Sequence, residues 1–235
     1  MRTTLACAAG ALVLAACASG ADHAQRHYTL VAPIAATPVA RNTALRDGVL
    51  LVAPVAAAPF YDGLEIAFST APGMRGRYQF SHWTEPPAES VYTALASGLA
   101  RAQLFGTVAT PAPGVKADWL LSVRLVEIYH DAKRPPGVAR LTLDVEFVDL
   151  RRHAVVARRT FTACENAPTH DAGGAVAGAR AAVASAVGDV VAWIDRTLSA
   201  SAPVPPNPDE PLPSGDEAAT GCDDIEASIT AARTP

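Results

Sequence analysis

Between residues 119 and 162 the chain alternates apolar and polar side chains in a strand-like rhythm, and this leaves few folds open. Trp119, Leu121, Val123 and Leu125 interleave with Leu120, Ser122 and Arg124. Leu141, Leu143, Val145 and Phe147 interleave with Thr142, Asp144 and Glu146. A period of two belongs to a strand whose successive side chains point to opposite faces. Each strand therefore offers one face to a core and one to water. The segment from Asp131 to Val138, with Pro135-Pro136-Gly137, joins the two as a long hairpin. Arg151-Arg152-His153 then turns the chain into a third antiparallel strand, Val155 to Thr162. A sheet with one apolar face needs a cover.

Two segments supply it. Thr84-Glu85-Pro86-Pro87 reads as a helix start: Thr84 caps, Glu85 meets the positive end of the dipole, and the prolines fall where backbone donors lack partners. Ala88, Val91, Tyr92, Leu95, Leu99 and Ala102 recur at helical spacing and predict an amphipathic helix ending near Phe105-Gly106. Beyond Asp171 and Gly173-Gly174, the residues Val176, Val183, Val187, Val190, Val191, Ile194 and Leu198 stripe a second long helix. Its Ala and Gly content suits close packing. Upstream, the apolar run Val49 to Val55 predicts a strand buried on both faces. Tyr28 to Val31, Tyr61 to Phe68 and Arg77 to Trp83 read as further extended pieces, with turns at Asp62-Gly63 and Pro72-Gly73. The expectation is a single α/β domain, a mixed, mostly antiparallel sheet of five to six strands packed with two long helices.

The ends follow other rules. Arg2 and the apolar stretch Leu5 to Leu14 form an export leader, too short for a bilayer span of roughly 20 residues. Leu14-Ala15-Ala16-Cys17 looks like a bacterial lipobox. Small residues before the cut suit the signal peptidase, and only a thiol after it accepts the diacylglycerol thioether. An ordinary signal peptide cut near Ala18 or Gly20 is the alternative. Residues 1–16 are thus read as leader, 17–27 as lipidated tether, 28–199 as the domain, and 200–235 as an acidic, Pro-rich disordered tail. Each buried methylene contributes about 0.8 kcal/mol, so several fatty chains on Cys17 anchor the protein without a transmembrane helix. Ala18 stands where enterobacterial sorting places Asp for inner-membrane retention, which favours the outer membrane.

The formal charge of −4 gathers at the end: seven acidic residues against Arg233 from Ala200 onward give −6. The remaining mature body, near +1, has no basic field for nucleic acid. Of the four cysteines, Cys7 leaves with the leader and Cys17 takes lipid. Cys164 and Cys222 remain, and in an oxidising compartment they can pair and staple the tail to the body. A buried Cys164 thiol with a free Cys222 is the other reading.

Reactive constellations are missing from the pattern. There is no G-x-S-x-G elbow, no C-x-x-C and no zinc spacing, and Gly173-Gly174 to Gly178 lacks the ending of a phosphate loop. His82, His130, His153 and His170 are scattered, and His23 with His27 lacks a third ligand. Glu127, Asp144 and Glu146 read as a solvated sheet face or as an ion pair with Arg124 or Arg158. The expectation is no enzyme, no catalytic residue, no metal and no cofactor.

The order of these elements resembles the ABC-type transport auxiliary lipoproteins. Tyr28-Thr29-Leu30, Leu51-Val52-Ala53-Pro54-Val55, Tyr61-Asp62 and Trp83-Thr84-Glu85-Pro86 carry the resemblance, with Leu95, Leu99 and Leu104-Phe105. Arg158-Arg159-Thr160-Phe161 and Val191-Ala192-Trp193-Ile194 complete it, so that it covers Tyr28 to Leu198. The chain departs at Ala67-Phe68-Ser69, where the family tends to keep an arginine, and the acidic tail looks like an addition. The resemblance implies a lipoprotein working with an ABC permease and ATPase and with a mammalian-cell-entry (MCE) domain protein that bridges the periplasm to move lipids. It implies a place at the outer-membrane end of that bridge, as a homo-oligomeric ring. Trp83 then reads as a core plug between helix and sheet or as a partner contact. A stand-alone envelope-assembly or peptidoglycan-associated lipoprotein is the alternative.

Overall fold

The computed structural model describes residues 24–30 and 46–200. The residues read as leader, most of those read as tether and tail, and Cys17 and Cys222 lie outside the described residues.

The longest ladders are the ones the alternation predicts. Strand β7 (Trp119–Asp131) pairs antiparallel with β8 (Val138–Asp149), and β8 pairs antiparallel with β9 (Ala154–Asn166). On its other side β7 meets three short strands in succession, all parallel to it: β2 (Arg46–Val52), β3 (Ala56–Ala57) and β4 (Glu65–Ser69). Strand β2 carries β6 (Phe105–Ala109), while β4 carries β5 (Gly76–Trp83) and, beyond it, β1 (Arg26–Tyr28). Among the described residues the result is one mixed sheet of nine strands. Its long members are antiparallel, and its short members join mainly in parallel.

Both helices cover one face. Helix α1 (Pro87–Ala102) and helix α2 (Ala172–Ala200) touch each other, and α2 lies along β8 and β9. Phe161 meets Trp193 of α2 edge to face, with ring centroids 5.6 Å apart. Odd-numbered residues of β9 from Ala157 onward therefore face the helices. Through the ladder register so do Leu141, Leu143, Val145 and Phe147 of β8, all buried. A Cβ on Gly178 would stand 2.9 Å from the Ala139 Cβ, so this glycine lets α2 settle directly on β8. By length and composition α2 could cross a membrane, but 56% of its most apolar window is buried inside the fold. It is the spine of the core.

Four local expectations are corrected. Thr84 does not cap α1: Pro86 occupies the cap position with no side-chain bond, and the Thr84 N–H goes to the Tyr28 carbonyl. A cap must directly precede the first helical residue, and two prolines push Thr84 too far out. The helix ends at Ala102, where Gln103 takes a left-handed conformation (φ 51°), and a strand the pattern did not show, β6, begins at Phe105. The run Val49 to Val55 splits at Pro54, which cannot donate to a ladder, into β2 and β3. Pro59–Tyr61 is a 3-10 turn, so the extended piece expected from Tyr61 starts at Glu65.

Candidate functional site

Even-numbered residues of β8 and, up to the irregularity near Val148, of β9 line the sheet face away from the helices. Register brings Tyr129, Arg140 and Cys164 into one row, Glu127, Thr142 and Thr162 into the next, then Arg124, Asp144 and Thr160. The charges are balanced locally: Thr160 donates to Asp144 at 2.7 Å, Arg158 pairs with Glu146, and Arg140 holds Asp131 at 3.1 Å. Of these three acids only Glu146 makes the expected pair with Arg158, while Glu127 pairs with Arg75 and Asp144 accepts from Thr160.

One corner of that face is different in chemistry. Arg75 lies over the Tyr129 ring, 3.8 Å from its centroid, and donates to the Tyr61 hydroxyl and to Glu127, each at 3.1 Å. Phe60 packs edge-on against Tyr61, and Arg77 lies over Phe60 at 4.5 Å. Burial first, and the Glu127 carboxylate second, raise the Tyr129 phenol above its usual range, so it stays neutral. Phe60 and Met74, which neighbour Tyr61 and Arg75 in the chain, are 37% and 58% exposed. Aromatic rings, arginine and methionine in one exposed patch are the composition of an interaction surface. No periodicity marks these residues, because they sit on a turn and at strand ends. Only Pro72-Gly73 signalled that the chain reverses here.

A second cluster closes the end of the sheet where α2 begins. The Pro136 carbonyl can only accept, so His130 Nε2 (3.0 Å) and His170 Nδ1 (3.1 Å) both carry hydrogens toward it. His130 Nδ1 then accepts from the Tyr78 hydroxyl at 2.7 Å. Burial lowers the pKa of His130, against the opposing pull of the Pro136 bond. Burial and then the Asp171 charge push the Tyr78 phenol up to about 12. Asp171 is held below the usual carboxylate range chiefly by the Gly174 N–H, then by the Thr169 hydroxyl. Both ring nitrogens of His130 are thus occupied, and the group acts as a lock between hairpin and sheet. A cleft of about 300 Å³ adjoins it, lined by Arg26, Tyr28, Tyr78, His170 and Asp171 among others.

The residues singled out from the sequence lie apart. Trp83 is 3% exposed and belongs to the core cluster. Cys164 is disulfide-bonded, to a residue outside the described ones. Among the described residues no three His, Cys, Asp or Glu side chains converge on a point that could hold a metal ion.

The sequence model for the ABC-type transport auxiliary lipoprotein component matches residues 28–191. The chain belongs to this family. Its fold is similar to that of a Xanthomonas campestris protein with 21% identity, a TM-score of 0.63, and coverage of 74% of this chain and 97% of that one. A second solved structure, of an uncharacterized protein, shares 13% identity with a TM-score of 0.57, covering 73% and 99%. No curated protein matches the chain. Family membership makes it a lipoprotein of the cell envelope and an auxiliary to an ABC transporter.

Proposed function

We propose that this auxiliary lipoprotein is a non-enzymatic docking component, held by fatty chains on Cys17 at the periplasmic face of the outer membrane. There it receives a periplasm-spanning MCE-domain protein, whose ABC permease and ATPase drive lipid between the membranes. The observation that carries this reading is the family match over residues 28–191 beside the lipobox at Cys17. The exposed Phe60 and Met74, with Arg75 and Arg77 beside them, support it as the contact face. An apolar centre with arginines at its margin buries well against a partner and keeps orientation through charge. The work of transport needs no reactive group in this chain, since ATP hydrolysis occurs on the ATPase.

The test is co-purification from native membranes at native level. The full-length lipoprotein is expected to recover MCE-domain and ABC subunits. The Phe60→Asp/Met74→Asp double variant should lose them while keeping its melting temperature. Recovery of peptidoglycan or of other envelope proteins in their place would overturn the reading. Cys17→Ser is expected to leave the precursor unprocessed or soluble, and a normally processed form with normal membrane recovery would remove the anchor.

A further inference from the structure

We propose that His27, His82 and Glu65 bind one divalent transition-metal ion, which clips strand β1 to the sheet. Sequence spacing leaves His27 short of ligands, and folding supplies them. His27 of β1 pairs directly with His82 of β5, and His82 pairs directly with Glu65 of β4. The three therefore form one row across neighbouring strands, on one face. Their chain neighbours Tyr28, Trp83 and Ile66 belong to the core or pack against it. Successive strand residues alternate between faces, so His27, His82 and Glu65 turn away from the core. His27 and Glu65 are exposed, and His82 is half-buried.

None of the three is committed elsewhere. Among the described residues their side chains make no hydrogen bond and no ion pair. His82 Nδ1 is buried and unpartnered, a polar atom that a fold ordinarily satisfies. The two imidazole rings lie 5.8 Å apart between centroids, tilted by 31°. Zn–N bonds of about 2.0–2.1 Å at a tetrahedral angle place two imidazoles on one ion at roughly 5 Å between centroids. A small rotation of the exposed His27 closes that difference. Glu65 completes the set by turning, since its carboxylate now lies against Gly63 and the three side chains do not yet converge. Exposed side chains change rotamer within nanoseconds, so this swing is no barrier.

The donor set selects the ion. Two imidazoles with one carboxylate suit Zn²⁺, Ni²⁺ or Cu²⁺, whereas Mg²⁺ and Ca²⁺ take oxygen ligands. Three protein ligands leave a fourth position to solvent. The consequence is mechanical. Strand β1 has three residues and holds to β5 through three residue pairs, with His27 at its centre. An ion shared by three strands binds only when all three are in place, so it stabilises that arrangement by mass action. The clip makes no use of the docking role proposed above.

The test is calorimetric titration of Zn²⁺ into the full-length lipoprotein in detergent micelles, stripped beforehand with a chelator. One equivalent is expected to bind, undisturbed by excess Mg²⁺. His27→Gln, His82→Gln and Glu65→Gln should each weaken binding at least about tenfold. The melting temperature of the metal-free His27→Gln and Glu65→Gln proteins should be unchanged. His153→Asn, on an exposed turn whose left-handed backbone asparagine tolerates, is the control and should bind as the parent does. Hydrogen exchange at residues 27–29 should slow at least about tenfold with Zn²⁺ in the parent and not in His27→Gln. Undiminished binding in His27→Gln puts the ion elsewhere, and undiminished binding in Glu65→Gln removes the carboxylate; either result overturns the site. Zinc bound by these residues without slower exchange at 27–29 overturns the clip.

Discussion

Gly98 of α1 faces Val187 of α2 so closely that a Cβ on Gly98 would stand 2.5 Å from the valine Cγ1. Valine in a helix has one strongly preferred rotamer and cannot swing clear. Gly98→Ala sets two effects against each other. Helix propensity gains about 1 kcal/mol, while overpacking costs about 1–3 kcal/mol. With Gly98 buried, the clash wins, and a net loss of about 1–2 kcal/mol is expected in urea unfolding. In a Val187→Ala background the same change should become neutral or stabilising, as a double-mutant cycle would show. Equal effects in both backgrounds would mean the helices do not meet at this pair.

Why the sequence revealed the long ladders and not the short ones is a matter of burial. Leu141, Leu143, Val145 and Phe147 have one wet and one dry neighbour face, and alternation records that difference. Strands β3 and β6 are too short for a period to show, and they exist because β7 and β2 offer edges to pair with. Thr84 misled because its type suits a cap while the position was set by the prolines after it. The Phe60, Tyr61 and Arg75 corner was illegible because its members come from a 3-10 turn and a strand end, and only folding puts them together. His130 looked isolated for the same reason: Tyr78, Pro136 and His170 reach it from other elements.

Gly137 carries that lock. Its φ is +101°, and a Cβ there would stand 2.0 Å from His130 Nε2 and 2.8 Å from the Asp131 carbonyl. Gly137→Ala therefore meets backbone strain of about 1–3 kcal/mol and also displaces a buried hydrogen-bonded ring, at about 1–3 kcal/mol. A total loss of about 3 kcal/mol is expected by denaturant titration. Gly114 is the control, with φ +81° and nothing within 4 Å of its Cβ position. Gly114→Ala should show the backbone part alone, about 1–2 kcal/mol. Matching losses at the two sites would show that His130 does not feel residue 137.

Trp83 ends β5, and its N–H bonds to the Leu64 carbonyl while its ring is buried in the core. Trp83→Ala removes the largest side-chain type and leaves a cavity, for an expected loss of about 3–5 kcal/mol. Trp83→Phe keeps most of the volume and should lose less than half of that. Thermal unfolding reads both, and an unchanged melting temperature in Trp83→Ala would place the ring outside the core.

Acid should unfold the protein in two windows, each with its own residue. His130 has a folded pKa below the ordinary 6.5, because burial disfavours its charged form. Between that lowered value and 6.5 the unfolded chain binds more protons, so this contribution is complete above 6.5 and is lost as pH falls through the folded pKa. Asp171 is depressed below 3.8 by the Gly174 N–H and the Thr169 hydroxyl, so its contribution is complete above 3.8 and lost at lower pH. His130→Gln keeps an acceptor for Tyr78 and a donor for Pro136, and should flatten the upper window alone. Asp171→Asn keeps a cap on α2 without the titrating charge and should flatten the lower one. Melting temperatures from pH 7.5 to 2.5 separate the two, and an upper window of undiminished size in His130→Gln would assign it to another histidine.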